Sequence, residues 1–403
     1  MTTSTETAVG RLPMPAQAGG PAAGRPRVLL APVTVTPTKP LTPSHLKFLL
    51  WIDVMYRATV PLADVILRCS HTTYHQTEQT LGFWEYLDRT RGDDDYAAMS
   101  EVDVGELYVA YRADGRRPTA EALRPYADAA EHGWVHPASV RVLRAWQTQY
   151  RILGMHDPGL LAHVPPGADL ATVLDRLAEL GVLVDLRAHG GPVHLDLTRF
   201  GQPLRQIIAA DGRPNYLACA LRELLPLAGD HDEIVLAHDP ELDADYRLLS
   251  HVLEMAGATV RRYTIGRVPI DGVLSSARQG DWRGHDAATL LASLSTDHTP
   301  DAVRLGFRLY FIAVLGPGPE QSLREDLLRH CVARAERLCE NSGGPAPGHG
   351  VEPAGPPGRS ELIELLEQHR GRHLYIDPYR LTSHAFGRRR PAPARQLLSE
   401  AYL

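Results

Sequence analysis

The chain has 403 residues, 44% of them hydrophobic, and its 42 basic and 48 acidic side chains leave a formal charge of −6. This length allows two domains or one large α/β domain with insertions, in the composition range of soluble globular proteins. Mild acidity excludes a basic field over the whole surface, hence a protein whose main task is gripping DNA or other nucleic acid through phosphates.

Residues 1 to about 25 are mainly Thr, Ala, Gly and Pro, too poor in apolar material to bury, and are expected to be disordered. They contain no signal-peptide core, and no later run of 18 or more apolar residues is long enough to span a membrane. The four cysteines, Cys69, Cys219, Cys331 and Cys339, show no CxxC spacing. A cytoplasmic setting with no membrane partner is therefore expected.

Residues 34–57, TVTPTKPLTPSHLKFLLWIDVMYR, contain the only two lysines of the chain, Lys39 and Lys47; the other 40 basic residues are arginine. An ammonium is a point charge and a guanidinium a planar fork, so the choice matters against a phosphate. VLLAPVTV reads as a buried strand, a Pro-rich turn follows, and Ser44-His45-Leu46 opens an amphipathic helix running to Arg57. A strand, a tight loop and a helix N-terminus make an anion site of free amides and a positive dipole end. Residues 62–68 read as a second strand, which implies a right-handed crossover and a parallel sheet.

Next come Cys69, His71 and His75, ahead of a helix LGFWEYLDRT. Metal ligation there lacks a Glu beside the first histidine and a second ligand cluster, so polar residues of this stretch, His71 and Gln79 among them, are read as pocket lining beyond a strand end. Residues 92–162 have apolar positions at helical spacing and form an inserted helical segment. Residues 167–201 give a helix ADLATVLDRLAELG, a strand VLVDLRA, a Gly-Gly-Pro turn and a strand VHLDLTRFG, outside the main sheet or along its edge. The α/β rhythm returns with a turn at residues 211–216, the helix LACALRELLPLA, the buried strand EIVLA, the helix DADYRLLSHVLEMAG and the strand TVRRYTIG. Helical patterns fill residues 285–340. A Gly/Pro-rich linker at 343–358 then separates off a tail, 359–403, with one amphipathic helix and the basic run Arg388-Arg389-Arg390; so short a piece should dock on the body or a partner. The expected division is thus a disordered tail (1–25), a Rossmann-like catalytic domain in two halves (26–91 and 203–284) around an insertion (92–202), a helical segment (285–342), the linker and the tail.

In this order the parts resemble the catalytic domain of class I aminoacyl-tRNA synthetases, and most of all arginyl-tRNA synthetase, over roughly residues 28–300. Lys39-Pro40-Leu41-Thr42-Pro43-Ser44-His45-Leu46 stands where that family has its Lys-Pro-Leu lead into a His-x-Gly-His signature. His194 to Pro203 and Asp211-Gly212-Arg213-Pro214-Asn215-Tyr216-Leu217 are similar to the run into its second nucleotide-binding half. Ser275-Ser276-Ala277-Arg278-Gln279-Gly280-Asp281 is similar to its mobile lysine-serine loop. The first signature histidine is Thr42 here, the glycine is Ser44, and the loop lysines are gone, leaving Arg278 as the expected cation. In the amino-acid pocket, the family's guanidinium-binding carboxylate is replaced by Ala220, its asparagine by Thr36 and a glutamine by Pro240. An unpaired buried guanidinium is costly, so arginine is not the expected substrate unless an acid such as Asp239 has taken over.

The resemblance implies an α/β class I synthetase fold and an ATP- and Mg²⁺-dependent ligase that activates an amino acid or other carboxylic acid as its adenylate. The acyl group would pass to a small amine, in specialised biosynthesis. Tyr216 and the signature match family positions, and no full anticodon-binding domain is expected, so a charged tRNA is the less favoured acceptor. His45, Thr42, Lys39 and Arg278 are assigned to catalysis. Ser44, Lys47, Gly212, His238, Asp239, Ser275 and Ser276 are assigned to the nucleotide, and Thr36, His71, Gln79 and Tyr216 to the substrate. A catalytically degenerate paralogue that binds a nucleotide or a partner protein is the alternative.

Overall fold

The computed structural model describes residues 24–69, 75–274, 280–341, 359–387 and 393–403. The expected disordered tail up to residue 23, the linker, the basic run 388–390, His71, Ser275, Ser276 and Arg278 lie outside the described residues.

Strand β1 (Arg27–Pro32) is flanked on both sides by parallel partners, β2 (Asp64–Leu67) and β6 (Glu233–His238), with β7 (Val260–Thr264) beyond β6. Leu29 faces Ile66 on one side and Ile234 on the other. The unbroken apolar run of β1 follows from burial on both faces: Leu29 and Ala31 pack into one core cluster, Val28 and Leu30 into another. From β1 the chain first winds outward to β2 and later returns to build β6 and β7 on the opposite side. The reversal falls between β1 and β6, where open α/β sheets leave a crevice beyond the strands' carboxyl ends.

Helix α1 (Pro43–Thr59) joins β1 to β2. Among the described residues, the segment between β2 and β6 begins with five α-helices, α2 (Glu78–Arg91), α3 (Glu101–Asp114), α4 (Ala120–Glu131), α5 (Pro137–Ile152) and α6 (Leu170–Glu179). It continues through a small antiparallel sheet of β3 (Leu183–Asp185), β4 (Val193–Leu195) and β5 (Arg205–Ile208), which is separate from the main sheet. Helix α7 (Tyr216–Leu224) leads into β6, and α8 (Asp243–Met255) joins β6 to β7. The strands expected at 182–188 and 193–201 each stop after about three residues. Asp185 and Asp196 turn the chain by accepting from the amide two residues on, and short 3₁₀ turns close at Gly190 (φ 71°) and Gly201 (φ 72°). Strand β5 was not among the expected elements.

Beyond β7 lie α9 (Ala287–Ser295), α10 (Pro300–Arg308), which runs on through a π-helical turn at Leu309–Val314, and α11 (Glu325–Asn341). Among its described residues the tail holds three helices where one was expected, α12 (Arg359–Arg370), α13 (Pro378–Ala385) and α14 (Arg395–Ala401). The last two, of 8 and 7 residues, are too short to persist without packing. The tail docks on the body: ahead of α13 the Leu374 amide donates to Glu233 and the Ile376 amide to Thr59 Oγ1, and Arg57 donates to the carbonyls of Ser399 and Glu400 in α14. Among the described residues no helix is long and apolar enough to cross a membrane.

Helix α1 is buried on nearly every face, including its one interior acid, Asp53. Arg308 of α10, fully buried, pairs with Asp53 Oδ2 and donates to the carbonyl of Leu153, while Asp53 Oδ1 accepts from the His156 amide. A charge left behind by removing one partner has no water to turn to. Asp53→Leu or Arg308→Met alone should therefore lower stability by about 3–5 kcal/mol, and the double variant should recover most of the loss, read from denaturant midpoints.

Candidate functional site

A cavity of about 740 Å³ opens at the carboxyl ends of β1, β6 and β7, within the size range of small-molecule sites. Its walls are residues 33–36 after β1, the first turns of α1, Asp239, Glu241 and Leu242 after β6, and residues 265–267 after β7. The segment between β2 and β6 completes it with residues 77–79, Tyr108, Gln206 and residues 213–216. Thr36, Lys39, Thr42, Ser44, His45, Gln79, Tyr216 and Asp239, picked from distant stretches of sequence, all line this one space.

The first turn of α1 explains how the loop presents its imidazole. Thr42 is the N-cap and Pro43 the first helical residue, a position that needs no amide hydrogen. The Thr42 hydroxyl accepts from the His45 amide at 3.4 Å, and the Thr42 amide donates to His45 Nδ1 at 3.2 Å. This reciprocal capping box makes Nδ1 an acceptor, so the ring proton of the neutral form belongs on Nε2. Burial first, then the charges of Lys39 and Arg267, hold the His45 pKa well below that of an ordinary histidine. His45 is thus a neutral hydrogen-bond donor at neutral pH, held at a helix N-terminus.

Lys39 lies just before this cap, 6% exposed, with its ammonium 5.1 Å from the centre of the Tyr108 ring. The turn that carries it is backed by Gly105 of α3: a Cβ there would come within 2.8 Å of both Pro40 and Trp282. The Ser44 hydroxyl accepts from the Val268 amide at 2.9 Å, tying α1 to the segment after β7. On the opposite wall Gln79 donates to Thr36 Oγ1 at 3.1 Å, and the hydroxyls of Tyr216 and Tyr246 are 2.7 Å apart. Asp239 caps the 3₁₀ turn Pro240–Leu242, and its pKa is pushed up by burial and by Glu241.

Three residues assigned to the nucleotide from sequence do not line the cavity. His238 is fully buried, its ring stacked on Tyr246 with centroids 4.4 Å apart. Gly212 (φ 87°) turns the exposed loop before α7, with no atom within 4 Å of where a Cβ would stand. Lys47 is 1% exposed and donates to the Gly318 carbonyl at 2.6 Å. The same loop presses on Gly266, whose amide donates to Pro317 at 2.6 Å and where a Cβ would meet Gly318 at 2.5 Å. Lys47 therefore shapes the wall from behind. His75 is likewise core, fully buried with its ring edge-on to Trp84 at 5.2 Å. The described residues contain no group of three or more His, Cys, Asp or Glu arranged to hold a metal.

Arg267, Glu241, Arg213 and Tyr108 line the cavity without having been singled out as site residues in the sequence. The placement of Arg267 at the carboxyl end of a parallel strand was a usable signal; nothing local marks Tyr108.

No protein-family model matches the sequence, and no match is found among curated proteins. Among solved structures, the chain is similar to arginyl-tRNA synthetase from Thermus thermophilus, with a TM-score of 0.58 at 14% identity, over 97% of this chain and 78% of that one. It is also similar to arginyl-tRNA synthetase from Plasmodium falciparum, with a TM-score of 0.53 at 12% identity, over 85% of this chain and 64% of that one. At such identity the likeness is one of fold: the chain adopts a divergent class I synthetase-like fold. The likeness runs well past residue 300, where the sequence resemblance was expected to end.

Burial, opposed in part by Glu320, lowers the Lys47 pKa from 10.5 to about 8. Between those values the unfolded chain holds more protons than the folded one, so this group makes stability rise with pH. Lys47→Met should flatten the rise, as measured by denaturation midpoints between pH 7.5 and 10.

Proposed function

We propose that the chain is a synthetase-like ligase that uses ATP to activate an amino acid or other carboxylic acid as its adenylate and passes the acyl group to a small amine, in specialised biosynthesis and without tRNA. The observation that carries this reading is the neutral, Nε2-protonated His45, fixed by Thr42 at a helix N-terminus inside a crevice at the sheet's switch point. In the first step a carboxylate oxygen of the substrate bonds to the α-phosphorus of ATP as the bond to the bridging oxygen breaks, and pyrophosphate leaves with that electron pair. Charge gathers on the phosphate oxygens, and fixed donors stabilise it without reorganising. His45 and the positive end of α1 supply such donors, with Lys39 adding charge. In the second step the amine attacks the acyl carbon, loses a proton and displaces AMP.

Mg²⁺ bound chiefly through phosphate oxygens and water needs few protein ligands, and Asp239 and Glu241 are carboxylates of the cavity suited to one such contact. It would neutralise phosphate charge. On the opposite wall, the Thr36–Gln79 pair and the Tyr216 hydroxyl are neutral hydrogen-bonding groups, and Glu78 is already paired with Arg213. This wall suits an uncharged polar acyl donor better than a guanidinium.

One observation favours the alternative of a nucleotide-binding paralogue without catalysis: Lys47 and the Ser44 hydroxyl are both committed to structural bonds. ATP binding without exchange would support it.

ATP–pyrophosphate exchange over a panel of amino and carboxylic acids separates these readings. Exchange is expected with an acid other than arginine, and His45→Ala should reduce it by a factor on the order of 10² to 10³. Because His45 carries no charge to lose near pH 6.5, the rate should show no inflection from it between pH 6 and 8. Absence of exchange with every acid, together with no ATP binding, would refute the proposal, and strongest exchange with arginine would overturn the assignment of the acyl wall.

A further inference from the structure

Three cationic side chains line the cavity, Lys39, Arg213 and Arg267, and they are held differently. Lys39 lies over the Tyr108 ring. Arg213 is bound within its own turn, where Asp211 accepts from its amide, its Nε and its Nη2, and Glu78 flanks it at 3.3 Å. Arg267 reaches across from the end of β7 to Glu241, on the 3₁₀ turn after β6. The Arg267 side chain is 23% exposed, whereas the Glu241 side chain is 67% exposed. The backbones on both sides are fixed. Gly266 is pressed against Gly318, and the Glu241 amide donates to Asp239 Oδ1 at 3.0 Å. Only the two side chains are left to exchange partners, and a well-solvated carboxylate gives up an ion pair at small cost.

We infer that Arg267 is an anion-binding residue of the cavity that takes a phosphate group of the nucleotide, and that Glu241 occupies the guanidinium until that phosphate displaces it. A guanidinium suits either oxyanion through the same pair of parallel hydrogen bonds. Glu241 thus competes with the ligand: a weak or singly charged anion does not displace it, and a polyphosphate does. The inference rests on the nucleotide reading of the cavity for its ligand, and on the Arg267–Glu241 pair for its mechanism.

The test is equilibrium binding of inorganic tripolyphosphate and, separately, of ATP to the full chain, in wild type, Arg267→Gln, Arg267→Lys, Glu241→Gln and the Glu241→Gln/Arg267→Gln double variant. Thermal midpoints serve to show that each variant is folded. Arg267→Gln should weaken tripolyphosphate binding by about tenfold or more, and Arg267→Lys by less, as expected for a charge-assisted hydrogen bond. Glu241→Gln should tighten it about threefold, within the range of an exposed ion pair. That gain should vanish in the double variant, because Glu241 acts through Arg267 rather than through net charge. Equal affinity of wild type and Arg267→Gln, a Glu241→Gln gain that persists in the double variant, or no tripolyphosphate binding by the wild type would overturn the inference. Tripolyphosphate binding with this pattern but no binding of ATP would overturn the adenylate reading and leave the anion site standing.

Discussion

The buried pair of Asp53 and Arg308 is the constraint from which the rest of the architecture follows. Helix α1 has almost no solvent-facing side, so its one buried carboxylate must be answered from another element, and α10 supplies the answer some 255 residues later. The same guanidinium and carboxylate also satisfy the backbone at Leu153 and His156, at the end of α5. One network therefore fixes the position of α1 relative to both the insertion and the C-terminal helices. Such a pair adds little net stability over a hydrophobic contact, but it tolerates no other arrangement of the three segments.

What α1 gains in fixed position it passes to its first turn. The capping box aligns the His45 ring with bonds that involve only backbone groups and Thr42, so the donor is set by the helix itself rather than by a neighbouring loop. Thr42 is thus the group that orients His45. Ser44 and Lys47 then carry the same rigidity outward, one to Val268 and the other to Gly318, so that the wall after β7 is built against α1 rather than beside it. The two lysines of the chain divide between these tasks: Lys39 faces the cavity, and Lys47 supports the wall behind it.

The parts of this arrangement legible in sequence are those written in local chemistry. The two-faced apolar runs of β1 and β6, the opening of α1 near Ser44-His45-Leu46 and the helical spacing of the insertion each follow from a few adjacent residues, and the order of elements pointed to the class I synthetase fold. The short β3 and β4 strands were overextended because Asp185-Leu186 and Asp196-Leu197, each with a glycine four residues after the leucine, were read as strand when they are turns. Lys47 and Lys39 looked alike because both sit at the loop; only the packing of residues 316–319 against α1 distinguishes them. Tyr108 enters the cavity through a tertiary contact of the insertion with Lys39, for which no local pattern exists, whereas Arg267 follows a parallel strand's carboxyl end and could have been picked out.

The docking of the tail bears on how the chain reaches this state. Its contacts fall on Thr59, Glu233 and Tyr263, which belong to α1, β6 and β7 and lie 317, 141 and 114 residues from their partners. Those three groups, two acceptors and the Tyr263 hydroxyl donor, share one surface only after the two halves of the parallel sheet have come together across the long segment between them. Contacts of such separation form late, since the chain entropy of closing the loop is lost before they contribute. The described residues of the tail therefore clasp the two halves together, holding α1 of the first half through Arg57 and Thr59 and β6 and β7 of the second through Glu233 and Tyr263.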